Sequence, residues 1–225
     1  MSKVIIVSAP SGSGKSTLVG QLLKMVPGLD FSISYTTREP RGSEQNGKEY
    51  FFVPKEDFEA MIAQEEFLEW ANVFGKYYGT ARRFLRQAES QGHDLLLDID
   101  VQGAAQVKMR VPAAVSIFIL PPDRQTLEWR LRNRGEDKEE VIQRRLVAAS
   151  REIENCEKYD YILVNDRLEQ SMDELRAMVL AERLPHPAGE LTPEQARNLR
   201  LAEASRLENS RSRIQPILAS FLDPA

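Results

Sequence analysis

The chain is poor in the residues that make cross-links and metal clusters. Its 225 residues include 1 cysteine, Cys156, which excludes an internal disulfide framework and a cysteine-rich metal site. The 2 histidines, His93 and His186, lie far apart in sequence and do not supply the clustered donors of a zinc site. Long hydrophobic runs are also missing. Val4-Ile5-Ile6-Val7 is far too short for a signal-peptide core or a membrane span, and Leu95-Leu96-Leu97 and Ile117-Phe118-Ile119-Leu120 are strand-sized. The expectation is a cytoplasmic protein without a membrane partner. Positive charge is not in excess: 30 Lys+Arg against 34 Asp+Glu give a net charge of −4, which argues against a nucleic-acid partner. What remains is globular material, 42% hydrophobic and 28% charged, sufficient for one ordinary domain with an appendage.

Short apolar runs alternate with longer helical patterns, which predicts an α/β fold with a parallel sheet core flanked by helices. Lys3 to Ser8 reads as the first strand and about Ser16 to Met25 as a helix stopped by Pro27-Gly28. Alternation over Phe31 to Tyr35 reads as a second, half-buried strand. The stretch from Thr36 to Tyr78 breaks the strand–helix rhythm and reads as an inserted subdomain, with Tyr50 to Val53 extended and Pro54 to about Gln64 helical. A helix from about Thr80 to Gln91 leads to strands at Asp94 to Ile99, Val115 to Leu120 and Tyr161 to Val164, and Leu168 to about Arg183 forms the last core helix. Pro185 to Gly189 reads as a linker. Beyond it, Thr192-Pro193-Glu194 resembles a helix start. In this tail Leu199, Leu207, Ile214, Leu218, Phe221 and Leu222 make an apolar stripe that suits docking on the core or on a second subunit, and equally a frayed surface helix. Monomer and homo-oligomer stay open.

The sharpest local signal is Ala9-Pro10-Ser11-Gly12-Ser13-Gly14-Lys15-Ser16-Thr17 between an apolar strand and a helix. This is the context of a phosphate-binding loop, in which backbone N–H groups and a helix N-terminus face the phosphates of a nucleotide such as ATP. Gly12 and Gly14 permit close backbone approach, Lys15 is placed to reach the β- and γ-phosphates, and the Ser16 hydroxyl to ligate Mg²⁺. The pattern departs from G-x-x-x-x-G-K-[ST] only in Ala9, where the first glycine is expected. Leu95-Leu96-Leu97-Asp98 supplies a strand ending in a carboxylate suited to hold the metal, directly or through water. Asp100, two residues on, is the alternative, and one of the pair is free to cap a helix beginning near Val101.

Arg38 and Arg41 stand three apart in a proline-containing loop, with Tyr50 close behind. Two guanidiniums and a phenol suit a phosphate dianion, although a solvated basic loop has the same composition. The wider pattern is more specific. Ser32-Ile33-Ser34-Tyr35-Thr36-Thr37-Arg38, Pro40-Arg41, Asn46-Gly47-Lys48-Glu49-Tyr50-Phe51-Phe52 and Glu66-Phe67-Leu68-Glu69-Trp70-Ala71 resemble guanylate kinases. The resemblance continues through Tyr77-Tyr78-Gly79-Thr80, Leu97-Asp98-Ile99-Asp100-Val101-Gln102-Gly103 and Ile162-Leu163-Val164-Asn165-Asp166, and covers approximately residues 3–184.

The resemblance implies a P-loop nucleoside monophosphate kinase that transfers phosphate from Mg·ATP to GMP. It implies a GMP-binding subdomain at about 34–81, a helical lid at about 124–148, and an extension at 185–225 outside the domain. Arg38, Arg41, Tyr50 and Tyr78 would then hold the GMP phosphate. Glu69 would accept the guanine N1–H and 2-amino hydrogens, with Ser34, Gly79, Thr80 and Asp98 completing the GMP site. Arg130, Arg134 and Arg145 would join Lys15 and Arg38 as candidate catalytic groups at the transferred phosphate. Gly135-Glu136-Asp137 would be the lid tip. Asn165 would stand near the ATP base or serve a turn. The remaining arginines of that region suit pairing with acids such as Glu139, and Trp70, Trp129 and Cys156 suit packing. Two rivals remain: a non-catalytic scaffold of the same fold, which the intact Gly12, Gly14, Lys15, Ser16 and Asp98 oppose, and a kinase for another phosphorylated acceptor, which Glu69 with Ser34 opposes.

Overall fold

The computed structural model describes residues 2–73, 75–133, 138–185 and 189–222. In chain order, Val4–Ser8 (β1) is buried throughout and Lys15–Met25 (α1) buries Leu18, Val19 and Leu22 at helical spacing. Three short strands follow: Leu29–Phe31 (β2), Tyr35–Thr36 (β3) and Phe51–Phe52 (β4). Lys55–Ala63 (α2) precedes the hairpin of Phe67–Val73 (β5) and Lys76–Ala81 (β6), and Arg82–Gln91 (α3) ends at Gly92 with φ +67. Asp94–Asp98 (β7), Val101–Arg110 (α4) and Val115–Leu120 (β8) come next. The chain continues with Arg124–Asn133 (α5), Glu139–Ile153 (α6), Tyr161–Val164 (β9) and Leu168–Glu182 (α7). It closes with Pro193–Ser205 (α8) and Leu207–Leu222 (α9). The architecture is α/β with parallel strands flanked by helices, as the alternation of apolar runs and helical patterns predicts. No described helix is long and apolar enough to cross a membrane.

The chain forms two compact units, the first comprising Met1–Ile6 and Gly28–Val115, the second Val7–Pro27 and Ser116–Ala225. In the first, β2 pairs in parallel with β7, Leu29 opposite Asp94 and Phe31 opposite Leu96. On its other side β7 meets the start of β1, where the Leu95 N–H donates to Lys3 O at 2.9 Å and the Lys3 N–H donates to Asp94 Oδ1 at 2.7 Å. The same unit carries a four-stranded sheet in the order β4-β3-β6-β5. Its core is aromatic. Phe58 of α2 is fully buried, stacked on Phe67 at 4.4 Å and on Tyr77 at 5.3 Å between ring centroids, and Tyr35 stacks on Phe51 at 4.9 Å. So small an insert has little area to bury, and large flat side chains supply most of it.

Two sequence expectations change here. The strand expected over Phe31 to Tyr35 is two strands in two sheets. The Ser32 N–H still donates to Leu96 O at 3.0 Å, but Ser34 O already accepts from the Phe51 N–H at 2.9 Å, so the alternating run is the crossing between them. The helix expected from Thr80 starts at Arg82. Thr80 and Ala81 finish β6, paired with Glu69 and Phe67, and β-branched Thr80 suits the pleat better than a helix.

In the second unit β8 and β9 pair in parallel from Ile117 opposite Tyr161 to Leu120 opposite Val164. Helix α7 is packed by α1, β9 and α8, which explains buried residues on more than one of its faces. The tail is therefore docked. Thr192 caps α8 reciprocally with Gln195, and Ile214, Ile217 and Phe221 of α9 are buried, whereas Leu222 is exposed. Cys156 is buried, and burial pushes its thiol up to about 11, which leaves it unreactive.

Phe58→Ala should cost about 3–5 kcal/mol of stability, because it empties the centre of the aromatic cluster. Chemical denaturation monitored by circular dichroism measures it, and a loss below about 1 kcal/mol would mean that the cluster is not the core of the insert.

Candidate active site

One cluster of candidate residues is built in the second unit. After β1 the chain turns sharply, the Ser13 N–H donating to Pro10 O at 3.1 Å, with Gly12 at φ +94 and Gly14 at φ +89. Both conformations belong to glycine, and the space agrees. A Cβ on Gly14 would collide with Asn165 Nδ2, which donates to Ser13 O at 2.7 Å, and one on Gly12 would lie 2.9 Å from Leu131 Cδ2. Gly14 is the N-cap of α1, and no side chain caps the helix and no acid occupies its first turn. No acid in the first turn offsets the positive end of its dipole, which suits an anion there. Lys15 is half-buried at the first helical position, while Ser16 and Thr17 are exposed.

A cavity of about 360 Å³ opens beside this loop, walled by Gly12, Gly14, Trp129, Arg130, Asn165 and Asp166. Arg130 donates from Nη2 to Asn165 O at 3.0 Å, and its Nη1 is buried without a hydrogen-bond partner. A buried guanidinium N–H of this kind is costly unless a ligand completes it. The residues present therefore fit a nucleotide polyphosphate. Arg132, two positions on, differs: it is exposed and bonded to Glu128 and Glu139, the surface pairing expected of an ordinary helix arginine. Arg145 lies half-buried on α6. Arg134 and the expected tip Gly135-Glu136-Asp137 lie outside the described residues. Trp129 corrects the packing assignment. It is 64% exposed at the cavity, because its place on α5 faces away from the buried Leu127 and Leu131.

A separate cluster of candidate residues is built in the first unit. Arg38 is 9% exposed and bonds Glu44 twice, Nη1 to Oε2 at 2.7 Å and Nη2 to Oε1 at 3.0 Å. Its guanidinium lies over the Tyr50 ring at 5.1 Å, and Tyr50 meets Tyr78 edge-on at 5.9 Å. Glu44 also accepts the Arg41 N–H at 2.7 Å, so one carboxylate ties both arginine positions of the loop. The pair raises Arg38 further above its usual range, and Arg38 holds the Glu44 carboxyl below its own. Sequence reading missed Glu44. Its signal is an acid at the third step of an Arg-x-x-Arg-x-x-Glu spacing, which is easily taken for solvated charge. Arg41's side chain is exposed.

Glu69 is 3% exposed on β5. Burial pushes its carboxyl up to about 7, and the charge of Asp100 adds to the rise; Thr80 opposes it from the facing strand. The Thr80 hydroxyl is close enough for that influence but is buried without a fully formed hydrogen bond. A Cβ on Gly103 of α4 would collide with Glu69 Oε2, so the glycine makes room for the carboxylate. Ser34 is buried in the same unit. Gly79 is buried opposite Trp70, where a Cβ would lie 2.9 Å from Phe67 and 3.0 Å from Phe58, a packing requirement. Asp100 is the helix cap, its Oδ1 accepting the Gly103 N–H at 2.8 Å, while Asp98 stands half-buried at the end of β7. Among the described residues no group of three or more His, Cys, Asp or Glu forms a metal cluster.

The family model for guanylate kinase matches residues 1–182. A guanylate kinase from Koribacter versatilis (strain Ellin345) is 56% identical over 223 residues, covering 98% of this chain and 96% of that protein. One from Dechloromonas aromatica (strain RCB) is 50% identical over 181 residues, covering 80% and 90%. The crystal structure of guanylate kinase from Anaplasma phagocytophilum matches with a TM-score of 0.68 at 33% identity, over 82% of this chain and 87% of that one.

Gly14→Ala should weaken binding of a fluorescent ATP analogue by about 10–100-fold, since the loop must abandon φ +89 and Asn165 must move. Equilibrium titration reads it. An unchanged dissociation constant in folded protein would show that the loop tolerates a Cβ and is not the cradle.

Proposed function

The chain belongs to the guanylate kinase family and transfers phosphate from ATP to GMP to give ADP and GDP, and we propose that the two half-sites divide this work between donor and acceptor. Residues Ala9 to Thr17 cradle the ATP phosphates with backbone N–H groups, Lys15 neutralises the β- and γ-phosphates, and Asn165 borders the nucleotide. Arg130 directs its uncommitted Nη1 at the same polyphosphate, and Arg134 and Arg145 act with it as the lid of about 124–148. Residues of about 34–81 form the GMP subdomain, and 185–225 stand outside the catalytic domain as an extension. Phosphoryl transfer spreads negative charge over equatorial oxygens, so fixed guanidiniums stabilise the transition state more than the ground state. Mg²⁺, for which the Ser16 hydroxyl and the Asp98 carboxylate are hard oxygen donors of the right kind, supplies charge neutralisation of the phosphates when bound.

The acceptor needs no general base, because the GMP phosphate oxygens are already anionic near neutral pH. Arg38, Arg41, Tyr50 and Tyr78 orient that phosphate, Arg38 sharing its guanidinium between Glu44 and the ligand. Glu69 accepts the guanine N1–H and 2-amino hydrogens, with Ser34 and Thr80 beside it. Adenine presents an unprotonated N1 there, and a buried carboxylate facing a lone pair is strongly disfavoured. The observation that carries this reading is Glu69: a carboxyl 3% exposed, in a space that a Cβ at residue 103 would fill.

A coupled assay of ADP release from Mg·ATP tests it. GMP should support turnover, AMP and buffer alone almost none, and Glu69→Gln should raise the GMP KM by about 10–100-fold, the cost of losing a charged acceptor. No GDP from folded protein would sink the proposal. Arg130→Ala should lower kcat by about 10²-fold with a smaller effect on the GMP KM.

The pH dependence carries a definite sign. Guanine binding needs the Glu69 carboxylate, which in the free protein takes a proton near 7. The GMP KM should therefore rise as pH falls below about 7, approaching tenfold per pH unit, with proton release on binding. The GMP phosphate titrates nearby, with its second pKa about 6. Glu69→Gln keeps only that phosphate limb, so the difference between the two profiles isolates Glu69. Superimposable profiles would remove Glu69 from the binding step.

A further inference from the structure

Strand β5 is the outer strand of the four-stranded sheet, so one side of its backbone has no strand partner. It is also irregular. Phe67 pairs with Ala81 and Glu69 with Thr80, which leaves Leu68 as an extra residue in a β-bulge immediately before Glu69. A bulge turns the following side chain, and an unsupported bulge on an outer strand leaves that side chain free to swing. Helix α4 supplies the support. The Gln106 carboxamide makes both backbone bonds of Trp70, Nε2 donating to Trp70 O at 2.6 Å and Oε1 accepting the Trp70 N–H at 3.3 Å. It thereby stands in for one residue of a missing neighbour strand. Arg110 donates from Nη1 to Leu68 O and, at 3.3 Å, to Phe67 O, and Arg82 Nε donates to Phe67 O at 3.1 Å.

Gly103, Gln106 and Arg110 fall at i, i+3 and i+7, one face of α4. Along that face the helix meets the Glu69 carboxylate, then the Trp70 backbone, then the bulge carbonyls. The residue that reads the base is bracketed on both sides by side chains that bond only backbone. We propose that Gln106 is a positioning residue for guanine discrimination: by holding the Trp70 peptide against α4 it fixes the aim of Glu69, so that both carboxylate oxygens meet the base together. This inference rests on the reading of Glu69 as the guanine acceptor.

The test compares GMP with IMP, which keeps the N1–H and lacks the 2-amino group, in the wild type, Gln106→Met, Gln106→Glu and Glu69→Gln. Methionine keeps the length and volume of glutamine without its hydrogen bonds. Gln106→Met should raise the GMP KM about tenfold with kcat changed less than twofold, and lower the GMP:IMP ratio of kcat/KM by a similar factor. The ATP KM should not move. Gln106→Glu keeps the acceptor for the Trp70 N–H but repels its carbonyl, and should fall between the wild type and the methionine variant. That variant also serves if Gln106→Met fails to fold. A lowered melting temperature with an unchanged GMP:IMP ratio in either folded variant would reduce Gln106 to a structural brace and overturn the proposal. Glu69→Gln separates the two readings. If it leaves the GMP:IMP ratio intact, the assignment of Glu69 itself falls; if it collapses the ratio while the Gln106 variants do not, only the positioning role falls.

Discussion

A carboxyl group buried to 3% exposure sets the terms for its surroundings in the first unit. Water stabilises an ionised carboxylate, and its removal raises the Glu69 pKa from 4.5 to about 7. Between those values the folded protein holds a proton that the unfolded chain has released, so this group's contribution to stability declines as pH rises from about 4.5 to 7 and stays unfavourable above. Such a cost persists where the group has a task, and the neighbourhood is arranged around keeping it. Gly103 leaves the carboxylate the space a Cβ would take, and a bulge in β5 directly precedes the residue, while the nearby Asp100 charge adds to the cost.

The arginines fall into two physical states that sequence cannot tell apart. Arg38 is paired with Glu44 in a bidentate bond and lies over Tyr50, so its position is fixed before any ligand arrives. The Glu44 bonds and the one to Glu39 O occupy three of its five N–H groups. Arg130 is held through Nη2 and keeps Nη1 buried without a partner. The first arrangement favours orientation of a ligand and the second favours response to charge.

The tail obeys the same logic of completed bonds. Helix α7 is buried beyond one amphipathic stripe: besides Met172, Leu175, Met178 and Val179 on one face, Glu174, Ala177 and Ala181 are buried on another, and α1, β9 and α8 all pack against the helix. Ion pairs Arg176–Glu194 and Arg197–Asp173 stitch the two helices at their exposed margin, where each is worth little alone. The Ser220 hydroxyl accepts the Arg124 N–H at 3.1 Å, completing an N-terminal donor of α5, and the Ser150 hydroxyl donates to Phe221 O at 3.5 Å. The segment following residue 182 is thus bonded to the roots of both α5 and α6, the helices that carry Arg130 and Arg145.

How much of this is legible in the sequence follows from the range of each interaction. The phosphate loop is local: a strand, two glycines at fixed offsets and a helix start occupy adjacent residues, and their spacing alone specifies the backbone. The Thr192 cap is readable for the same reason. Glu69 is different. As one acid in an alternating strand it has the pattern of a solvated edge, and only the resemblance of its surroundings gave it a role, because its burial depends on α4, more than thirty residues away. Gln106 and Arg110 leave no local trace, since what they bond is backbone, and backbone has no identity in the sequence. Trp129 and Ser32 to Ser34 failed for a related cause. Periodicity records which residues alternate in polarity, and it does not record which surface they alternate against. A tryptophan beside a ligand cavity and a strand changing sheets both keep the pattern while changing its meaning.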